Sequence, residues 1–458
     1  VPTRLSRWAA SPAALLAPAA LFSALLVGIL LARSVPMGAA ALLGLCYLPL
    51  VLVNLRLGVV LWVPLTFLEG LPLFNMGGKA AGAIVAIGWI GMGRVVGDRV
   101  SVLVARNRAA AAGLVVFLVW ITLSVIWADS PHAAAFDLWH WYAVALIFLV
   151  IATVVRDAKT ARLVGHAFIV GGVLSILGGM FFGGLATSTI DLQAASSGRL
   201  YGAQGDPNLL AAGLVSGIVL AAGLLTNTRN ALVRGWLLVA IGTQAIGIIA
   251  SESRGGFVAA GATTLVALAF FKGRRAHVLL LVLLMVGLGG AWLSSSPDAW
   301  TRLTHFEDGS GRTDIWHVAE RVFSDHPVLG VGLANFPEVS DRYVRRPGTI
   351  KSLDLIVDHP HVVHNLYLET LASLGVIGLA LLLVFLGGCL RAAWEAGQRF
   401  DALRDDQLAT LSRSVLVATI GFLIASIFIS TGVDKRLWIL LALGPALKGM
   451  AMDGQRSR

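Results

Sequence analysis

Four polar clusters interrupt a chain that is otherwise strongly apolar: Gly198-Arg199-Leu200-Tyr201-Gly202, Ser251-Glu252-Ser253-Arg254-Gly255-Gly256, Gly311-Arg312-Thr313-Asp314-Ile315-Trp316 and His361-Val362-Val363-His364-Asn365. Each stands at the end of an apolar segment or inside one long loop. Arg199, Arg254 and Arg312 bring guanidinium groups, which stay protonated and meet phosphate through a bidentate fork. Arg254 opens an apolar segment. A helix beginning there places free N–H groups and a positive dipole end behind it, both suited to an oxyanion. His364 also enters an apolar segment directly, followed by Asn365, Tyr367 and Glu369. A helix start disfavours the imidazolium, and a neutral imidazole can accept a hydroxyl proton. Tyr201, Asn208, Asn365 and Tyr367 are secondary candidates for the same site. His326 is a further candidate base, but it and His359 each precede proline, which suggests turn roles. Asp206, Glu252 and Glu369 are weaker bases, because a nearby arginine lowers a carboxylate's pKa. Every one of these residues has a structural alternative. Arg254 could pair internally with Glu252, Arg199 and Arg312 could be solvated loop charges, and His364 could be a satisfied interfacial histidine.

The elements that would position these groups are membrane helices. Of 458 residues, 57% are hydrophobic and 13% charged, against about 25% charged in an ordinary soluble protein. Apolar runs reach roughly 17–25 residues, the length of a spanning helix. We place helices at about 12–32, 37–53, 57–69, 80–96, 111–127, 138–154, 162–184, 208–226, 232–250, 256–271, 277–294, 365–390, 414–431 and 437–450, and treat loss of two adjacent ones as the competing reading. The first follows Arg4 and Arg7 and is too long for the h-region of a signal peptide. This arrangement puts most of the 35 Lys and Arg on one side. The excess in short loops makes that side, and both termini, cytoplasmic. The formal charge of +10 is then a consequence of topology and calls for no nucleic acid. Cys46 and Cys389 lie inside apolar runs, and no CxxC or HExxH spacing occurs, so neither a disulfide nor a metal site is expected. The chain divides into N-terminal spans (1–190), spans bearing the arginine clusters (191–294), an external loop (295–362) and C-terminal spans (363–458).

The long loop is patterned. Ile315, Val318, Ala319, Val322 and Phe323 fall on one helical stripe. Thr313 is the expected N-cap, and Asp325-His326-Pro327 is the expected stop. The spacing predicts a short amphipathic helix on the external membrane surface, lidding the bundle.

These residues resemble the O-antigen ligase and O-antigen polymerase superfamily. The resemblance is clearest in Gly311–Trp316, in His326-Pro327-Val328-Leu329-Gly330-Val331-Gly332-Leu333-Ala334-Asn335-Phe336, and in His364-Asn365-Leu366-Tyr367-Leu368-Glu369 with Gly375 and Gly378. Ser253–Gly256 and Gly198–Gly202 match its earlier motifs, and the whole covers about residues 195–390. The resemblance implies an all-α polytopic membrane protein, a GT-C-like bundle of about twelve spans, with one long, partly helical periplasmic loop; with the fourteen stretches placed above, about 12–14 spans are expected. It also implies a bacterial inner-membrane glycosyltransferase whose active site faces the periplasm. The donor would be a glycan on undecaprenyl diphosphate, with no metal or other cofactor. The acceptor would be lipid A core for a ligase, or another lipid-linked repeat for a polymerase. By the same analogy Arg199, Arg254 and Arg312 would hold the diphosphate, and His364 would deprotonate the acceptor hydroxyl. An anion transporter of bicarbonate type is the alternative of another class, but it would need ionisable groups deep within several spans.

Overall fold

The computed structural model describes residues 12–182, 198–271, parts of 275–294, 312–347 and 362–456. Within these the regular structure is entirely helical. The N-terminal part comprises α1 (Pro12–Arg33), α2 (Val35–Val53), α3 (Leu55–Trp62, continued by a 3-10 turn Val63–Phe67), α4 (Pro72–Gly91), α5 (Arg94–Arg106), α6 (Arg108–Leu123), α7 (Pro131–Val154) and α8 (Ala158–Phe182). Then come α9 (Pro207–Thr226), α10 (Ala231–Ser251) and α11 (Arg254–Phe270), the loop helices α12 (Arg312–Asp325) and α13 (Phe336–Val344), and finally α14 (Leu366–Ala402), α15 (Asp406–Ala425) and α16 (Lys435–Arg456).

Among the described residues eight helices are long and apolar enough to cross a membrane, nine if the bent pair α4–α5 counts as one span. Shorter apolar stretches among the described residues lie in α1, in α2, in α3 with its 3-10 continuation, and in α11. Most of the predicted stretch 277–294 lies outside the described residues. The stretch predicted at 80–96 is corrected most. Pro72, at a helix start where its missing N–H costs nothing, begins α4 early, and Gly93 in the left-handed region (φ 53°) ends it with a 95° bend into α5. The stretch predicted at 414–431 is instead α15, which starts at Asp406 because Asp405 accepts a hydrogen bond from the Leu408 N–H at 3.0 Å.

Helix α9 is central, packing on α8, α10, α11 and α15, while α14 packs on α6, α15 and α16. The loop is part of this packing. Helix α14 is broken at Gly375 (φ 67°), which frees carbonyls of the preceding turn. The amides of Val331 and Gly332 take them up, donating to Ala372 O (3.1 Å) and Ser373 O (2.8 Å), and the Val376 N–H donates to Pro327 O at 2.9 Å. The contact is tight enough that a Cβ on Gly375 would lie 2.0 Å from Val328 O. The predicted loop helix forms as α12, with Ile315, Val318, Ala319 and Val322 buried. It packs on α14 and α13. Thr313 lies inside its first turn and is not the cap, because the helix already includes Arg312.

Candidate functional site

The site is built on two helix starts held side by side. Helix α10 ends at Ser251, Glu252 takes the left-handed conformation (φ 47°), and α11 begins at Arg254. Ser253 caps α11 by accepting from the Gly256 N–H at 3.0 Å, and donates its hydroxyl to Asn208 Oδ1 at 2.7 Å. Asn208 is in the first turn of α9, which Asp206 caps by accepting from the Asn208 and Leu209 N–H groups at 2.6 and 3.2 Å. Both helix starts therefore turn the positive end of a helix dipole toward one place.

The first arginine cluster is zipped onto this pair. The Leu200 N–H donates to Ala250 O, and Arg199 Nε donates to Ser251 O, each at 2.9 Å. The loop containing Tyr201 continues into a 3-10 turn over Gly202–Gln204. That turn lies so close to α8 that a Cβ on Gly179 would meet the Gly202 backbone at 2.6 Å. Arg312, in the first turn of α12, completes the set. Burial holds its guanidinium below the ordinary value, the Asp206 carboxylate opposes this, and the Arg254 charge adds to it. Asp206, Arg254 and Arg312 thus lie close enough to act on one another at one end of the bundle, with Arg199 held on the turn before α11.

His364 reaches the same end. Trp316, one turn along α12 from Arg312, donates Nε1–H to Val363 O at 3.1 Å. Its ring centroid is 6.4 Å from that of Phe428, the residue that a Cβ on Gly255 would strike at 2.7 Å. The start of α11, the start of α12 and the segment before α14 thus share neighbours. His364 itself has φ 54°. A non-glycine residue in the left-handed region is uncommon and concentrates at sites where the surroundings enforce it.

The secondary candidates separate. Asn365 is the N-cap of α14, accepting from the Tyr367 and Leu368 N–H groups, each at 3.0 Å. Tyr367 donates its hydroxyl to Leu423 O at 2.8 Å. Both therefore carry structural duties beside the site. His326 follows the far end of α12, roughly 20 Å along the helix from Arg312. Its Nε2 lies 3.1 Å from the Tyr343 hydroxyl, next to the Asp325–Arg346 ion pair at 2.5 Å. The structure does not bring it to the arginines. Gly311, His359 and His361 lie outside the described residues. Among the described residues no group of three or more His, Cys, Asp or Glu has the arrangement of a metal site.

Sequence reasoning missed Arg436, which is 3% exposed. It pairs with Asp434, donates to Gln204 Oε1, and donates from Nη1 to Leu209 O at 3.1 Å. It therefore ties the 3-10 turn after Tyr201 and the start of α9 to the start of α16. Beside it Lys435 pairs with Glu69, whose carboxyl burial raises above its usual range although Lys435 draws it down. The run Asp434-Lys435-Arg436, charged residues placed directly before the last apolar segment, was the available signal.

Residues 236–383 match the family model Wzy_C, described as O-Antigen ligase. The matched segment includes Arg254, Arg312 and His364 and excludes Arg199. No curated protein matches the chain. The segment running from α10 into α14, with the loop between them, is therefore similar to the O-antigen ligase family, in line with the resemblance of the polar clusters.

Proposed function

We propose that the protein transfers a glycan from undecaprenyl diphosphate to an acceptor hydroxyl, such as one on lipid A core, as a metal-independent, inverting membrane glycosyltransferase of GT-C type. The observation that carries this reading is the gathering of Arg199, Arg254 and Arg312 around two helix starts, with the His364 segment alongside. In it, the arginines hold the diphosphate and stabilise the negative charge that grows on it as the glycosidic C–O bond breaks. They supply the charge neutralisation for which other transferases use a divalent cation. His364 takes the acceptor's proton, the freed oxygen attacks the anomeric carbon from the opposite face, and the lipid diphosphate departs with the bonding electrons. A polymerase would use the same donor and the same residues with a second lipid-linked repeat as acceptor.

The decisive experiment incubates purified protein with lipid-linked oligosaccharide, with and without a separate lipid A core acceptor. Transfer that requires the separate acceptor supports a ligase. Chain growth in its absence assigns a polymerase, and no transfer under either condition overturns the reading.

A further inference from the structure

The opposite end of the bundle holds a second cationic arrangement. After the 95° bend, α5 runs across the end of the bundle and packs on α6, α7 and α16. A pocket opens beneath it, lined by Arg99, Leu103 and Asn107, by Arg156 from the turn after α7, and by Ala446 and Met450 of α16. Arg99 Nε and Asn107 Oδ1 are buried there without a hydrogen-bond partner among the described residues. The charges of Arg156 and Arg56 both bear on Arg99. Arg56 has a partner in Asp157 at 2.8 Å, and Arg106 has one in Asp453 at 2.5 Å. Among the described residues, neither Arg99 nor Arg156 has a carboxylate within ion-pair distance.

A buried guanidinium N–H facing no acceptor costs free energy, and like charges beside it add to that cost. A phosphate oxyanion removes both penalties, accepting from the fork while cancelling the repulsion. The pocket is half apolar, and it sits between the ends of membrane helices and a helix that crosses them. That is the level at which a phospholipid headgroup meets its glycerol and acyl chains, and basic pockets of this kind select anionic lipids. We propose that this pocket binds the headgroup phosphate of an anionic phospholipid, with the oxyanion on Arg99 and Arg156 and the glycerol end against Leu103, Ala446 and Met450. Free phosphate shares the oxyanion chemistry but leaves the apolar wall unused. The site is independent of the transfer reaction at the other end.

Native mass spectrometry of the full chain in detergent, with phosphatidylglycerol, phosphatidylcholine or inorganic phosphate added, tests the assignment. Phosphatidylglycerol should be retained in preference to phosphatidylcholine, and Arg99→Gln and Arg156→Gln should each weaken retention roughly fivefold. Arg156 is exposed, so its variant reads binding even if the change at Arg99 disturbs folding. Arg234→Gln, which removes an exposed charge outside the pocket near the start of α10, should leave retention unchanged. Equal retention of the two lipids, an equal loss in Arg234→Gln, or displacement of phosphatidylglycerol by an equal concentration of inorganic phosphate would each overturn the proposal.

Discussion

Arg254 and His364 illustrate what a residue type contributes beyond its charge. Arg254 opens α11 at the positive end of its helix dipole, where a planar fork can meet a phosphate bidentately. Lysine preserves the charge and loses the fork. Arg254→Lys should therefore lower transfer by about tenfold to a hundredfold, the worth of one charge-assisted hydrogen bond, with folding intact by thermal melting. Unchanged turnover would show that Arg254 acts as a point charge or not at all. His364 is a different kind of test, because its backbone is held at φ 54°. His364→Ala should cut transfer about 10²–10⁴-fold if the imidazole is the base, while binding of the lipid-linked donor persists. Full activity in that variant would remove His364 from the reaction. The arginine clusters draw attention in the sequence because guanidinium groups beside glycine stand out against apolar surroundings. Arg436 does not, since its partners Gln204 and Leu209 are distant in sequence and only the fold makes them neighbours.

At the scale of elements, the loop and α14 form one device. The stripe that forms α12 could be read directly, because Ile315, Val318, Ala319 and Val322 recur at helical spacing and are all buried. The break at Gly375 could not. Apolar residues run through it without interruption, and the amides that satisfy the freed carbonyls come from Val331 and Gly332 in the loop. The glycines of the His326–Phe336 motif thus have a backbone reason: Gly330 has φ 68°, and a Cβ there would sit 2.3 Å from Ser373 C. It follows that α14's kink and the loop's seat stand or fall together. Gly375→Ala would place a methyl 2.0 Å from Val328 O in a positive-φ position, and we expect it to destabilise the protein by about 1–3 kcal/mol or more and to lower transfer as α12 shifts. Gly387→Ala, on the same helix with nothing within 4 Å of the added carbon, should leave both melting temperature and activity near the parent's. Equal effects from the two changes would show that α14 is merely sensitive to lost glycine.

The whole molecule separates its chemistry by end. Helix α7 starts where the Ser130 N–H donates to Asn335 Oδ1 of the loop at 2.6 Å, and α16 starts at Lys435 beside Arg436. Those starts lie at the end that carries Arg199, Arg254, Arg312 and the His364 segment. The far ends of the same two helices meet α5 at the pocket holding Arg99 and Arg156. Since α5 bends out of the span direction, Arg94, Arg99 and Arg106 are spared a place inside the bilayer, where a charge costs about 2.5–3.5 kcal/mol or more. Short connections rich in arginine therefore collect at one end. If they follow the usual bias of positive charge toward the cytoplasm, the candidate site opens on the other side of the membrane, where lipid-linked glycans would meet their acceptors. Single cysteines in a background lacking Cys46 and Cys389 resolve the point. Arg345→Cys, at the end of α13 with a side chain 67% exposed, should react with a membrane-impermeant maleimide in intact spheroplasts. Arg404→Cys, in the turn between α14 and α15, should react only after permeabilisation. The reverse pattern would place the arginine cluster in the cytosol, among nucleotide-sugar donors, and would remove the argument for a lipid-diphosphate donor even if the side chains meet as described.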